Sequence, residues 1–180
     1  MIYNKILVPL DGSTLAECSL KHIKAIASGC GVGEIILLTV TEEVTMWGTQ
    51  WMSSQEQVNR RIDEVDKTRE MVKTKAAYYL EKVSENLKQS GFTVRTEIIE
   101  ERGNQHPADV ILDYADNNNV DLIVITTHGR SGISRWAFGS EAEKVVRYSK
   151  VPVLTITPIG CRDWTFLELD AKSREIIKPA

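Results

Sequence analysis

Two stretches rich in glycine and polar residues follow apolar runs and could together bind a ligand. The first is Asp11-Gly12-Ser13, directly after the run 6–10, and the second extends from Thr126 to Ser140, directly after the run 122–125. Ligands of open parallel sheets bind beyond the carboxyl ends of the strands, where the winding direction reverses. If both runs are strands of such a sheet, the two stretches belong to one binding site.

The pair Gly139-Ser140 has the chemistry of a phosphate site. Glycine has no Cβ, so a ligand can approach the backbone closely, and the free amides at a helix start favour anions. A helical pattern runs from Ser140 to about residue 148, and Glu143 stands at the spacing of a capping box with Ser140. A Gly-Ser pair that merely begins a helix has the same sequence, so the pair alone leaves both interpretations open.

The elements that must position these stretches alternate along the chain. Short apolar runs rich in β-branched residues indicate strands, and apolar residues at helical spacing indicate helices. The strands are expected at 6–10, 35–40, 92–99, 122–125 and 151–156, and the helices at 14–29, 62–90, from Pro107, and at 140–148. This β-α-β-α-β-α-β-α-β order predicts an α/β domain whose parallel sheet is covered on both faces. A polar segment at 41–61 and a tail at 158–180 lie outside the pattern.

Composition excludes several classes of protein. The 180 residues fit one domain, and a net charge of −3 without a basic stripe argues against nucleic-acid binding. Cys18, Cys30 and Cys161 show no CxxC spacing, which predicts reduced thiols in a cytoplasmic protein rather than disulfides or a zinc site. No apolar run approaches the ~20 residues that span a bilayer.

The sequence gives no set of catalytic residues and no metal site built from protein ligands alone. His128 has no serine or cysteine nucleophile motif beside it, and there is no Gly-Lys-Ser/Thr phosphate loop. We therefore expect binding without strong catalysis.

Several motifs, taken in order, resemble the Universal stress protein family. They are the opening 5–13, the segment 127–132, the nine residues between Gly129 and Gly139-Ser140, and the closing 151–154. The resemblance covers residues 4–157 and implies the ATP-binding branch of that family. It implies an open five-stranded parallel sheet in the order 3-2-1-4-5 with helices on both faces, an adenine nucleotide alpha hydrolase-like, Rossmann-like fold. A domain at 1–157 would carry a C-terminal extension, 158–180, docked on the domain or on a dimer partner.

The resemblance also implies roles for individual residues. Asp11 would contact the ribose or the adenine edge, and the backbone of Val40 would contact adenine. Pro9 and Leu10 would form the apolar wall for the base. The phosphates would be held by Gly129, Arg130, Gly139 and Ser140. Gly132 would be a further nucleotide-binding glycine of the motif. The ligand would be ATP, or AMP or ADP, with Mg²⁺ held through the phosphates. A homodimer would form through the last strand, 151–155.

Thr126 departs from the family pattern, which has glycine at this position. Its β-branched side chain could crowd the ribose, or its hydroxyl could bond to it. The favoured function is a nucleotide-binding stress-response or signalling protein. The alternatives are a dimeric interaction module that no longer binds nucleotide, which Thr126 favours, a slow ATPase, and a flavoprotein-like relative with the same winding.

Overall fold

The computed structural model describes residues 3–44, 54–103, 105–127 and 139–157. Within them, five parallel strands form one sheet in the order β3-β2-β1-β4-β5, as the family resemblance implied. The strands are β1 Lys5–Pro9, β2 Glu34–Thr41, β3 Val94–Glu100, β4 Leu122–Thr126 and β5 Val153–Ile156. The helices are α1 Thr14–Cys30, α2 Gln55–Gln89, α3 Pro107–Asn117 and α4 Ser140–Tyr148.

Helices cover both faces of the sheet because successive strand residues point to opposite sides. Ile6 and Val8 of β1 belong to a core cluster with α1 and α2, whereas Leu7 between them belongs to a second cluster with α3 and α4. The apolar residues of α2 that recur at helical spacing are buried, at Val65, Val72, Ala76, Tyr79, Val83 and Leu87. The central strands β1 and β4 are therefore apolar on both sides, which explains why they appear as unbroken apolar runs.

Helix α1 begins at residue 14 as predicted, but its N-cap and its last residue differ from the prediction. Thr14 and Glu17 have the spacing of a capping box, which predicts Thr14 as the N-cap. Ser13 is the N-cap instead, and its hydroxyl accepts a hydrogen bond from the Ala16 amide at 3.1 Å. The helix passes through Gly29 and ends at Cys30, because Gly31 adopts the left-handed conformation (φ 63°) that terminates helices.

The second helix begins earlier than its apolar pattern indicated. It starts at Gln55 rather than near residue 62, with Ser54 as the N-cap. The first two turns are exposed and are stabilised by polar contacts such as Glu56–Arg60 (3.1 Å), so they carry no apolar stripe for the sequence to show. Residues 55–61, which the sequence placed in the polar segment 41–61, are therefore helical.

The last strand is shorter than predicted. It begins at Val153 rather than at residue 151, and the carbonyl of the preceding Pro152 accepts a hydrogen bond from the Ile123 amide at 3.0 Å. No helix in the described part of the chain is long and apolar enough to cross a membrane.

Candidate functional site

The sheet has its switch point between β1 and β4. From β1 the chain crosses to β2 on one side, and from β4 it crosses to β5 on the other, so the segments after β1 and β4 diverge. Such a divergence leaves a crevice outside the carboxyl ends of the two strands. The two stretches that the sequence singled out leave the sheet at this point.

A cavity of about 330 Å³ occupies the crevice, within the usual size range of small-molecule sites. Its wall combines apolar side chains from the strand ends, such as Leu38 and Ile125, with the start of α3 at Pro107 and the start of α4. The structure brings together at this wall all seven predicted site residues that it describes, which are Pro9, Leu10, Asp11, Val40, Thr126, Gly139 and Ser140.

The turn after β1 holds Asp11 at the cavity. The Leu10 amide donates to the Leu38 carbonyl at 2.8 Å, and the Thr39 hydroxyl donates to the Leu10 carbonyl at 2.9 Å, so the chain stays fixed to β2. One Asp11 carboxylate oxygen accepts from the Ser13 amide at 2.9 Å, across Gly12 with its positive φ of 78°. Asp11 is thus a turn residue and also part of the cavity wall.

The start of α4 differs from the prediction in one respect. Gly139, not Ser140, is the N-cap, so Ser140 is the first helical residue and the expected capping box with Glu143 does not form. The Glu143 carboxylate accepts from Arg147 at 2.7 Å instead. The Gly139 amide donates to the Thr127 carbonyl at 2.7 Å, and a Cβ at Gly139 would lie 3.3 Å from that oxygen, so glycine suits this close approach.

Three helices begin at this crevice, and their first turns are capped differently. Ser13 caps α1, and the Glu141 carboxylate accepts from the Ala108 amide of α3 at 2.7 Å. Among the residues that the structure describes, no side chain accepts from the first-turn amides of α4, whose N-cap is Gly139. Amides at a helix start form a binding site for anions, and of the three helix starts α4 is the one whose first-turn amides no described side chain occupies.

Three carboxylates on the cavity wall were missed by the sequence analysis: Glu42, Glu101 and Glu141. Burial raises the pKa of Glu101, and the negative charges of Glu42 and Glu141 raise it further, whereas nearby His106 opposes the rise. Glu42 and Glu101 directly follow the ends of β2 and β3, so the rule that ligands bind at strand ends could have identified them. Glu141 reaches α3 through tertiary packing, which no local pattern shows.

Three other predicted residues, Gly129, Arg130 and Gly132, lie outside the described residues, as does His128. The same is true of the tail at 158–180. Their assignments therefore stay predictions from the motif.

The fold and its crevice are those of the doubly wound α/β proteins, which bind ligands at the switch point. The sequence pattern of the Universal stress protein family matches residues 2–157, and the chain belongs to that family. Universal stress protein MJ0577 of Methanocaldococcus jannaschii is 29% identical over 160 residues, which cover 87% of this chain and 96% of that protein. YxiE of Bacillus subtilis is 30% identical over 155 residues, covering 86% and 99%.

Solved structures show the same fold. The structure of MJ0577 superposes with a TM-score of 0.68 at 26% identity, covering 87% of this chain and 97% of the other. Two structures at 20% identity and TM-scores of 0.54 contain nucleotides. They are a universal stress protein in complex with cAMP and an Arabidopsis thaliana member with AMP bound, which this chain matches over 86% of its length. At that identity the likeness establishes the fold alone.

Proposed function

We propose that this universal stress protein binds an adenine nucleotide in the crevice between β1 and β4. The observation that carries the proposal is the first turn of α4, whose amides no described side chain occupies, at the wall of a cavity of about 330 Å³. An anion there would meet the backbone amides and the positive end of the helix dipole. The apolar remainder of the wall suits a base, so the cavity has the two chemical halves of a nucleotide.

The division of the wall into an anion-binding end and an apolar end predicts where each part of the nucleotide lies. The phosphates would lie at Gly139 and Ser140, and the base would pack on Pro9 and Leu10 with the Val40 backbone at its edge. Asp11 would accept a hydrogen bond from the ribose or the base. The motif adds Gly129 and Arg130 to the phosphate site, Gly132 to the nucleotide-binding residues, and Mg²⁺ on the phosphates themselves.

Relatives support the choice of an adenine nucleotide over other phosphorylated ligands. Two proteins of the same fold have been crystallised with AMP and with cAMP. Membership of the family supports a role in stress response or signalling, with binding rather than catalysis as the primary event. A cytoplasmic location stays a prediction from the thiols.

Thr126 supports a second candidate, an interaction module that no longer binds nucleotide. This residue ends β4, is 7% exposed and forms part of the cavity wall. A cavity that this side chain closes against the ribose would leave dimerisation as the function. In that case, millimolar AMP or Mg-ATP would not raise the melting temperature.

The substitution Gly139→Val tests the nucleotide proposal. The added side chain crowds the Thr127 carbonyl and covers the first-turn amides of α4. At a ligand concentration about 100-fold above Kd, we expect the native protein to gain about 2.7 kcal/mol, or roughly 5–10 °C in melting temperature. The variant should gain almost nothing.

Gly29→Val is the matched control for this experiment. Gly29 lies in α1 away from the cavity, with no atom within 4 Å of an added Cβ. This control should keep the full ligand-induced rise. An equal rise in the Gly139→Val protein would show that the phosphate site has been assigned to the wrong helix.

A further inference from the structure

The two helix starts on the α3–α4 side of the cavity are not equivalent. In the described part of the chain no side chain accepts from the first turn of α4, whereas the first turn of α3 already receives an anion from within the protein. The Glu141 carboxylate accepts from the Ala108 amide at 2.7 Å. A carboxylate at a helix start neutralises part of the positive helix end. The α3 terminus is therefore unavailable to a ligand phosphate, and its contribution to the field in the cavity is reduced.

Every charged residue on the described part of the wall that holds Glu141 is acidic. The charged residues that the structure places there are Asp11, Glu42, Glu101 and Glu141, with no lysine or arginine among the described lining residues. Lys144 of α4 lies one turn after Glu141, but its ammonium group contacts Asp109 at 2.7 Å and is not part of the wall. A ligand anion at Gly139 thus enters a cavity with several nearby negative charges.

The position of Glu141 gives it particular influence on that anion. It is the second helical residue of α4, next to Ser140, and it forms part of the same wall. The repulsion between two charges grows with the product of the charges, so a ligand with more phosphate charge loses more binding free energy. Glu42 is exposed to solvent, which screens its charge, whereas Glu141 is partly buried.

We propose that Glu141 limits the negative charge that this cavity accepts, so that it binds adenosine monophosphates in preference to polyphosphates. This inference rests on the proposed nucleotide site and adds a charge preference to it. Glu141 acts as a specificity-determining residue whose carboxylate stabilises α3 and also repels the second and third phosphate groups of ATP. Mg²⁺ would weaken the preference, because it neutralises charge on ATP and leaves less for Glu141 to repel.

Glu141→Gln separates the charge from the hydrogen bond. The glutamine side-chain oxygen can still accept from the Ala108 amide, so the start of α3 keeps its partner. Glu143→Gln is the matched control, because it removes the same charge from the first turn of α4 at an exposed position outside the cavity wall. Calorimetric titrations with AMP and ATP, without Mg²⁺ and at low salt, give the ratio of the two Kd values for each protein.

We expect the native protein to bind AMP more tightly than ATP. Glu141→Gln should tighten ATP binding by at least about threefold and AMP binding by less, while Glu143→Gln leaves the ratio unchanged. The inference is overturned if Glu141→Gln leaves the ratio of the AMP and ATP Kd values unchanged, or if both variants change this ratio equally. In either case, AMP binding by the native protein still supports the nucleotide site. Failure of the native protein to bind either nucleotide overturns the proposed function and this inference with it.

Discussion

Glu101 is the residue whose environment most clearly reflects the acidic cavity. It directly follows β3, and its amide donates to the Thr41 carbonyl at 2.8 Å, which holds the residue at the rim. Burial is the main cause of its raised pKa, and Glu42 and Glu141 add to the effect. The folded protein therefore disfavours the ionised form of this side chain relative to the unfolded chain.

The raised pKa of Glu101 gives a pH dependence of definite sign. The pKa of Glu101 is higher in the folded protein than in the unfolded chain. Its contribution to the free energy of unfolding is therefore complete below the unfolded-state pKa and is lost as the pH rises through the folded-state pKa. We therefore expect Glu101→Gln to be as stable as the native protein in acid and more stable at neutral pH. Urea unfolding over a pH series measures this difference.

Glu70→Gln, at an exposed position on α2 away from the cavity wall, provides the comparison variant in the same pH series. A difference for Glu101→Gln that stays constant with pH, or that favours the native protein at neutral pH, would contradict this account of the acidic wall.

At the scale of single residues, the sequence identified site residues that have a local signature better than residues that tertiary packing places at the site. Gly139 and Asp11 were predictable because a glycine at a helix start and a carboxylate after a strand each have a local signature. Glu141 has none, since its role depends on α3 lying beside α4. Both predicted capping boxes were wrong by one position, since Ser13 and Gly139 are the N-caps rather than Thr14 and Ser140.

At the scale of elements, apolar periodicity predicted every strand and helix of the described chain but not every boundary. The prediction fails where an element does not face the core, as in the polar first turns of α2. It also fails at β5, where Pro152 contributes its carbonyl to the ladder before the strand begins. The strand order came from the family resemblance, because periodicity alone does not say which strands are neighbours.

The outer side of β5 leads to a prediction about assembly. Hydrogen bonds reach β4 through the Pro152 and Ile156 carbonyls, so Val153 and Thr155 direct their backbone groups away from β4. An edge with free backbone groups can pair with another copy, and the neighbouring α4 exposes Val146 and Tyr148. We propose a homodimer through this edge.

We expect the native protein to sediment near twice its monomer mass of 20.2 kDa. Thr155→Pro removes an outward donor and should shift the protein towards monomer, while its melting temperature stays close to that of native protein at equal dilution. Sedimentation velocity over a concentration series distinguishes the outcomes. A native protein that stays monomeric, or a variant that dimerises as well as native protein, would rule out this edge as the interface.

At the scale of the whole molecule, the order of the strands determines where chemistry can occur. Placing β1 beside β4 brings together residues that are more than 110 positions apart in the chain, such as Asp11 and Thr126. Three helix starts meet at the same edge, and side chains of the protein cap the first turns of α1 and α3. The nucleotide proposal is the consequence of this arrangement, because it leaves the first turn of α4 as the position for a phosphate.

A crystal structure of the protein grown with saturating AMP is the most direct measurement of that claim. We expect the phosphate within hydrogen-bonding distance of the Ser140 backbone amide, and the base against Pro9 and Leu10 near Val40. Density for AMP at another surface, or a crevice that stays empty because the Thr126 side chain occupies the ribose position, would contradict the account.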